Sequence, residues 1–200
     1  MIKKQWFFQK VLPWLVLFLI LMLSIWLYFH SKQTRLFKID DLVLFDNAND
    51  IQAIFLPYWQ SLKKETEPTI RIVYFWQAYC PCDASVLPHY QQMIKQYADQ
   101  PVEFLFVDLT EIDKPYSTPF EQSLNHHLIS QLKSVITHTP SVAIWNGDLQ
   151  LAYYGPHSLG AICNAETSFV NKAIDSLLHG INSANTNTLA EGCFCRPQKS

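Results

Sequence analysis

Five cysteines are the residues with chemistry to offer, and four of them form two pairs. Cys80 and Cys82 flank Pro81, and Cys193 and Cys195 flank Phe194. Cys163 stands apart. The thiolate is the reactive form of cysteine, and a helix N-terminus stabilises it. Cys80 has that placement: an apolar run, Val73-Tyr74-Phe75-Trp76, ends just before it, and a helical pattern opens just after Cys82. Cys80 is therefore the expected nucleophile. The charge of Asp83 opposes its activation. A disulfide across Pro81 closes a small, strained ring, which raises its reduction potential. The plain alternative is two buried, inert cysteines.

Soft ligands suit another chemistry. Cys80, Cys82 and a histidine match Cu(I), with His157 or His138 as third ligand. His126-His127 reads as a solvated helix face. Thiol–disulfide chemistry without a cofactor is the leading expectation. Cu(I) handling and a non-catalytic scaffold in a membrane complex are the alternatives.

The elements around these residues follow from periodicity. Residues 69–76 and 102–108 are nearly continuous apolar runs, the pattern of buried strands. Residues 41–45 make a candidate first strand. Ile51, Phe55, Tyr58 and Leu62 mark a helix capped by Asp46 or Asn49, with Pro57 expected to kink or divide it. Val86, Tyr90, Met93, Ile94 and Tyr97 mark the helix after Cys82. Residues 119–135 make another, with Phe120, Leu124, Leu128 and Leu132 in register. Residues 141–145 and 149–154 are strands joined at Asn146-Gly147-Asp148, where Asn-Gly favours positive φ and a hairpin. A last helix carries Phe169, Ala173, Ile174 and Leu177 and ends near Gly180. Helices between buried strands predict a three-layer α/β domain, with the hairpin as an antiparallel addition.

Residues 11–29 contain no charge. As a helix they rise about 28 Å, close to the hydrocarbon thickness of a bilayer. Trp14 sits near one end, Trp26 and Tyr28 near the other. His30-Ser31-Lys32-Gln33-Thr34-Arg35 offers no cleavage site, so the segment reads as an uncleaved anchor. Three lysines precede it and Lys32, Arg35 and Lys38 follow, so flanking charge does not orient it. Five cysteines favour an oxidising compartment for the domain. The net charge of -2 and the lack of a basic stripe give no sign of nucleic-acid binding.

The chain resembles the thioredoxin-fold proteins, and among them the membrane-tethered TlpA/ResA-like thiol oxidoreductases of bacteria. The resemblance rests on Phe75-Trp76-x-x-Tyr79-Cys80, on Pro88 in the following helix, and on Thr139-Pro140-Ser141-Val142-Ala143-Ile144-Trp145-Asn146-Gly147. It spans residues 41–181 and also covers, more loosely, thioredoxin-like proteins with a Cys-Pro-Cys core and a Cys-x-Cys tail. It implies a thioredoxin-like α/β/α domain with a mixed sheet, a cis Pro140 facing Cys80, and substrate contacts at Trp76, Thr139 and Pro140. It implies protein thiols or disulfides as substrates, and a redox partner in the membrane or periplasm. One feature departs from the family: Cys80 and Cys82 are separated by one residue instead of two. The resolving thiol is left open among Cys82, Cys163 and the tail.

The expected organisation is then a cytoplasmic N-terminus (1–10), a transmembrane anchor in the bacterial inner membrane (11–30), a tether (31–40), a periplasmic domain (41–181) and a flexible tail (182–200). In this fold Gly155 to Cys163 lies on the side of Cys80, which makes Cys163 a candidate third catalytic thiol beside Cys80 and Cys82. Residues 182–192 can span about 36 Å when extended, and the last helix leads about 25 Å away. Cys193 and Cys195 can therefore reach back to Cys80 as a relay. A tail disulfide, or two free thiols in a disordered end, is the bland alternative.

Overall fold

The computed structural model describes residues 12–35, 39–62, 69–78, 80–110, 124, 126–158, 168–182 and 189–197. It divides into two units, residues 1–38 and residues 39–200.

In the first unit, helix α1 spans Leu12–Arg35. Its apolar side chains are exposed along its length, Trp14 at 73% and Leu19 at 62%. The Ser24 hydroxyl donates to the Ile20 carbonyl at 2.8 Å, which removes a free donor from an apolar surface. Among the described residues, no helix is long and apolar enough to cross a membrane. The expected cytoplasmic segment 1–10 lies outside the described residues.

The second unit runs β1 (Ile39–Leu44), α2 (Ala48–Ser61), β2 (Ile70–Trp76), α3 (Pro81–Gln96), β3 (Val102–Asp108), α4 (His126–Val135), β4 (Ser141–Trp145), β5 (Leu151–Gly155), α5 (Phe169–Leu178) and β6 (Leu189–Cys195). Four strands form one sheet in the order β3-β2-β4-β5. β2 and β3 are parallel, while β4 is antiparallel to both β2 and β5. This mixed α/β arrangement is compatible with a thioredoxin-like fold.

Side chains alternate across β2, as strand geometry requires. Val73 and Phe75 face a core shared with Phe55, Leu128, Leu132, Trp145 and Phe194. Ile72, Tyr74 and Trp76 face a second core with Val86, Tyr90, Met93, Val170 and Ile174. Helices α2 and α4 thus cover one face of the sheet, and α3 and α5 the other.

Several expectations change. Pro57 lies inside α2 and does not divide it; burial of Phe55 and Trp59 on either side outweighs the lost helical bond. The N-cap is Asn47, whose side chain makes no capping bond and instead donates to the Val135 carbonyl. At the hairpin, positive φ falls on Leu149 (φ 60) rather than on Asn146 or Gly147. The Asn146 carboxamide oxygen accepts from the N–H groups of Asp148 and Gln150 at 3.1 and 2.9 Å, which fixes the turn. The helix expected over 119–135 is described from His126 onward. Gly180, with φ 74, ends the last helix as expected.

The largest change is the tail. Residues 182–200 were expected to be flexible, yet Leu189–Cys195 is a strand paired antiparallel with β1. Phe194 is 3% exposed within the first core. Burying that ring and satisfying the strand's backbone groups outweighs the entropy of a free end.

Candidate functional site

Strand β2 delivers the chain to the site. After Trp76 the backbone turns: the Cys80 N–H donates to the Gln77 carbonyl at 3.3 Å. Cys80 is the N-cap of α3, with extended backbone (φ -73, ψ 118) and no side-chain capping bond. Pro81 takes the first helical position, where a missing N–H costs nothing. Cys80 therefore stands where the positive end of the helix lies.

The tail strand supplies the partner sulfurs. Cys80 is bonded to Cys195, and Cys82 to Cys193. The Cys82 and Cys195 sulfurs are 3.9 Å apart. Residues i and i+2 of a strand share one face, so Cys193 and Cys195 both point at α3 while Phe194 points into the core. Of the partners left open for Cys80, the structure joins it to Cys195 in the tail; no bond closes across Pro81, because β6 offers each thiol a partner of its own. Cys80, Cys82 and Cys195 are buried, at 3%, 1% and 0% exposed.

A second tie holds the tail in place. Thr139 and Cys195 exchange backbone hydrogen bonds, Thr139 N–H to Cys195 C=O at 2.9 Å and Cys195 N–H to Thr139 C=O at 2.7 Å. The Thr139–Pro140 peptide bond is cis, as the resemblance implied. The loop before β4 thus lies beside Cys195, and through it beside Cys80.

Asp83 is buried in the first turn of α3. Its carboxylate accepts from the Tyr74 hydroxyl and the Gln77 N–H, each at 3.2 Å. Burial pushes its pKa well above the ordinary range, against the smaller opposing pull of those bonds and the nearby Thr139 hydroxyl. That hydroxyl makes no hydrogen bond of proper geometry, so Tyr74 and Gln77 are the partners that matter. The expectation that Asp83 opposes a thiolate by its charge is therefore weakened, because burial favours the neutral acid.

His157 is buried, with its pKa lowered to about 4 by desolvation and then by His89. Its ring lies 5.1 Å from that of Tyr90. Among the described residues, the donors close enough to share an ion are the sulfurs of Cys80, Cys82 and Cys195, all within 4.8 Å of one another. His157 is not in that group, so the expected copper set of Cys80, Cys82 and His157 is not assembled. His138 sits beside Phe45 and Phe194, its ring 6.1 and 6.4 Å from theirs. Trp76 is 8% exposed at the end of β2. Cys163 lies outside the described residues.

Sequence reading missed the β6 strand, the Thr139–Cys195 pairing and the burial of Asp83. The i, i+2 spacing of Cys193 and Cys195 was the available signal for a strand.

The model of a family described as a domain of unknown function (DUF6436) matches residues 51–197. The chain belongs to that family. The match ends just past Cys195, so the family region includes both cysteine pairs. An uncharacterised conserved protein from Geobacillus kaustophilus has a similar solved structure, with a TM-score of 0.54 and 16% identity over 66% of this chain and 78% of that one. That similarity shows a shared fold. A hypothetical protein from Sinorhizobium meliloti 1021 is more distant, with a TM-score of 0.46 and 14% identity over 66% and 81% of the two chains. No curated protein matches the chain.

Proposed function

We propose that this DUF6436 member is a TlpA/ResA-like thiol–disulfide oxidoreductase. It is anchored in the bacterial inner membrane by residues 11–30, with its domain in the periplasm, and Cys80 is the cysteine that bonds to substrate, as the attacked sulfur in the oxidised state and as the nucleophile once reduced. The observation that carries the reading is the joining of both Cys-x-Cys pairs at one helix N-terminus, beside the cis Thr139–Pro140 bond. The exposed apolar side chains of α1 support the anchor, since such a surface calls for an apolar surrounding.

The chemistry balances as thiol exchange. A substrate thiolate attacks the Cys80 sulfur, and Cys195 leaves as a thiolate and takes up a proton. The substrate's second thiol then attacks the mixed disulfide. The substrate gains its own disulfide and loses two electrons and two protons to Cys80 and Cys195. The Cys80 thiolate leaves at the positive end of α3, which favours it. Before protonation, the Cys195 thiolate has the Cys82 sulfur 3.9 Å away. Attack there expels Cys193 and passes the reduction along the cluster. A disulfide-bearing partner in the membrane or periplasm restores the oxidised state.

The test uses the full chain in detergent and a fluorescent dithiol peptide. The wild type oxidises the peptide, and Cys80→Ser does so at least a hundredfold more slowly. Equal rates for the two proteins contradict the reading.

A Cu(I) role is the second reading, favoured by the three clustered sulfurs. It requires the reduced form and uses Cys195 in place of His157. Cu(I) uptake by the reduced chain separates it from the first.

A further inference from the structure

We propose that the fully reduced chain binds one Zn(II) ion in a four-thiolate site made of Cys80, Cys82, Cys193 and Cys195. The inference goes beyond thiol exchange and does not depend on how Cys80 reacts with a substrate.

The fold brings the four sulfurs together from two elements. Cys80 is the N-cap of α3 and Cys82 lies in its first turn. Cys193 and Cys195 lie on one face of β6. The Cα atoms of Cys80 and Cys195 are 6.2 Å apart, and those of Cys82 and Cys193 are 5.3 Å apart. The sulfurs of Cys82 and Cys195 share no bond and are 3.9 Å apart. Zinc–sulfur bonds of about 2.3 Å in a tetrahedron set neighbouring sulfurs about 3.8 Å apart. That pair therefore already spans one edge of the tetrahedron. The Cys80 sulfur lies within 4.8 Å of both. Once reduced, the bonded pairs open toward the same spacing by side-chain rotation.

The donor set selects the metal. A tetrahedral set of four sulfurs is the arrangement of structural zinc. The fourth sulfur, from Cys193, separates this site from the three-sulfur Cu(I) reading. Cys80, Cys82 and Cys195 are buried, which shields the ion from water. Cys193 is partly exposed and leaves a way in. Four thiolates outweigh the charge of the ion, and the positive end of α3 offsets the excess.

The chemistry balances with a dithiol as reductant. Two dithiols pass four electrons and four protons to the two disulfides and become disulfides themselves. The four cysteines then bind Zn(II) as thiolates and release four protons. The ion holds β6 against α3 in the reduced chain, as the disulfides do in the oxidised one. Reoxidation to Cys80–Cys195 and Cys82–Cys193 expels it.

The experiment uses the full chain in detergent, reduced with a phosphine and kept without oxygen, with Co(II) and Zn(II) as probes. The reduced wild type takes up one Co(II) per chain with the absorption bands of a tetrahedral cobalt–thiolate site, and one Zn(II) displaces it. The oxidised chain takes up neither. Each single change of Cys80, Cys82, Cys193 or Cys195 to Ser weakens binding by about a hundredfold or more. A measurement on the wild type alone guards against a misfolded variant: Zn(II) protects those four cysteines from alkylation, as located by mass spectrometry. A chain with all its thiols free that binds neither probe overturns the site. So does Cys193→Ser with unchanged affinity and spectrum, or protection of a different set of cysteines. Uptake of Cu(I) alone overturns zinc and leaves the second reading. In each case peptide oxidation by the oxidised chain still tests the oxidoreductase reading separately.

Discussion

Thr139 and Cys195 exchange both of their backbone hydrogen bonds across the only main-chain bridge between the β4 approach and β6 among the described residues. That pairing fixes the chain end beside Cys80. It makes the tail part of the site and raises the question of how firmly the tail is held.

The two disulfides close loops of nearly equal length, with sequence separations of 115 and 111. A loop of that size constrains the unfolded chain by about 4–5 kcal/mol. Either bond alone closes almost the same loop. Cys193→Ser or Cys195→Ser is therefore expected to cost a small part of that figure, and the double variant most of it. Denaturant unfolding of the three proteins checks the non-additivity; additive losses contradict it.

Phe194 is buried among Phe45 and the rest of the first core. Phe194→Ala is expected to cost about 3–5 kcal/mol in the oxidised chain. The cost should fall sharply once both disulfides are reduced and the tail is free to leave. Chemical denaturation with and without a phosphine reductant measures the difference. An equal cost in both states indicates a strand that stays docked without its disulfides.

Asp83 has a folded-state pKa raised by burial. A raised pKa means the folded state holds the proton more tightly. Stability is then full below the ordinary carboxylate value of about 4 and falls as pH rises toward the folded value. Asp83→Asn keeps a neutral side chain at all pH. Its stability relative to wild type is expected to rise with pH above about 4, as read from unfolding midpoints at several pH values. A constant difference across pH contradicts the assignment.

His157 behaves in the opposite sense. Its folded pKa lies at about 4, below the ordinary value of about 6.5. Stability is full above 6.5 and is lost as pH falls toward 4, by about 3 kcal/mol at most. His157→Phe is expected to remove that loss, so wild type and variant diverge between pH 6.5 and 4. Thermal unfolding over that range provides the check.

The sheet was the most legible part of the fold. Residues 70–76 and 102–108 carry buried runs too long and too β-branched for a loop, and β2 and β3 lie there. The helix after Cys82 announced itself through Val86, Tyr90 and Met93, all buried. Cys80 was legible as a helix-start cysteine for the same local reasons. Its partner was not. β6 is seven residues long, contains Glu191 and Gly192, and pairs with β1 across most of the domain sequence. No local pattern encodes that contact. Asp83 reads as an ordinary first-turn acid, favourable near a helix N-terminus; its burial comes from tertiary packing under Tyr74 and Thr139. Pro57 showed the same limit, a local rule overruled by Phe55 and Trp59.

The central claim is that Cys80 exchanges disulfides with a substrate and Cys195 is the group it releases. The direct test is a disulfide map of the full chain isolated from membranes under thiol-blocking conditions, repeated after brief exposure to a dithiol peptide. The account predicts Cys80–Cys195 and Cys82–Cys193 at the start, then a peptide adduct on Cys80 with Cys195 free before Cys193. A starting map with Cys80 bonded to Cys82, or a first adduct on any cysteine other than Cys80, contradicts it.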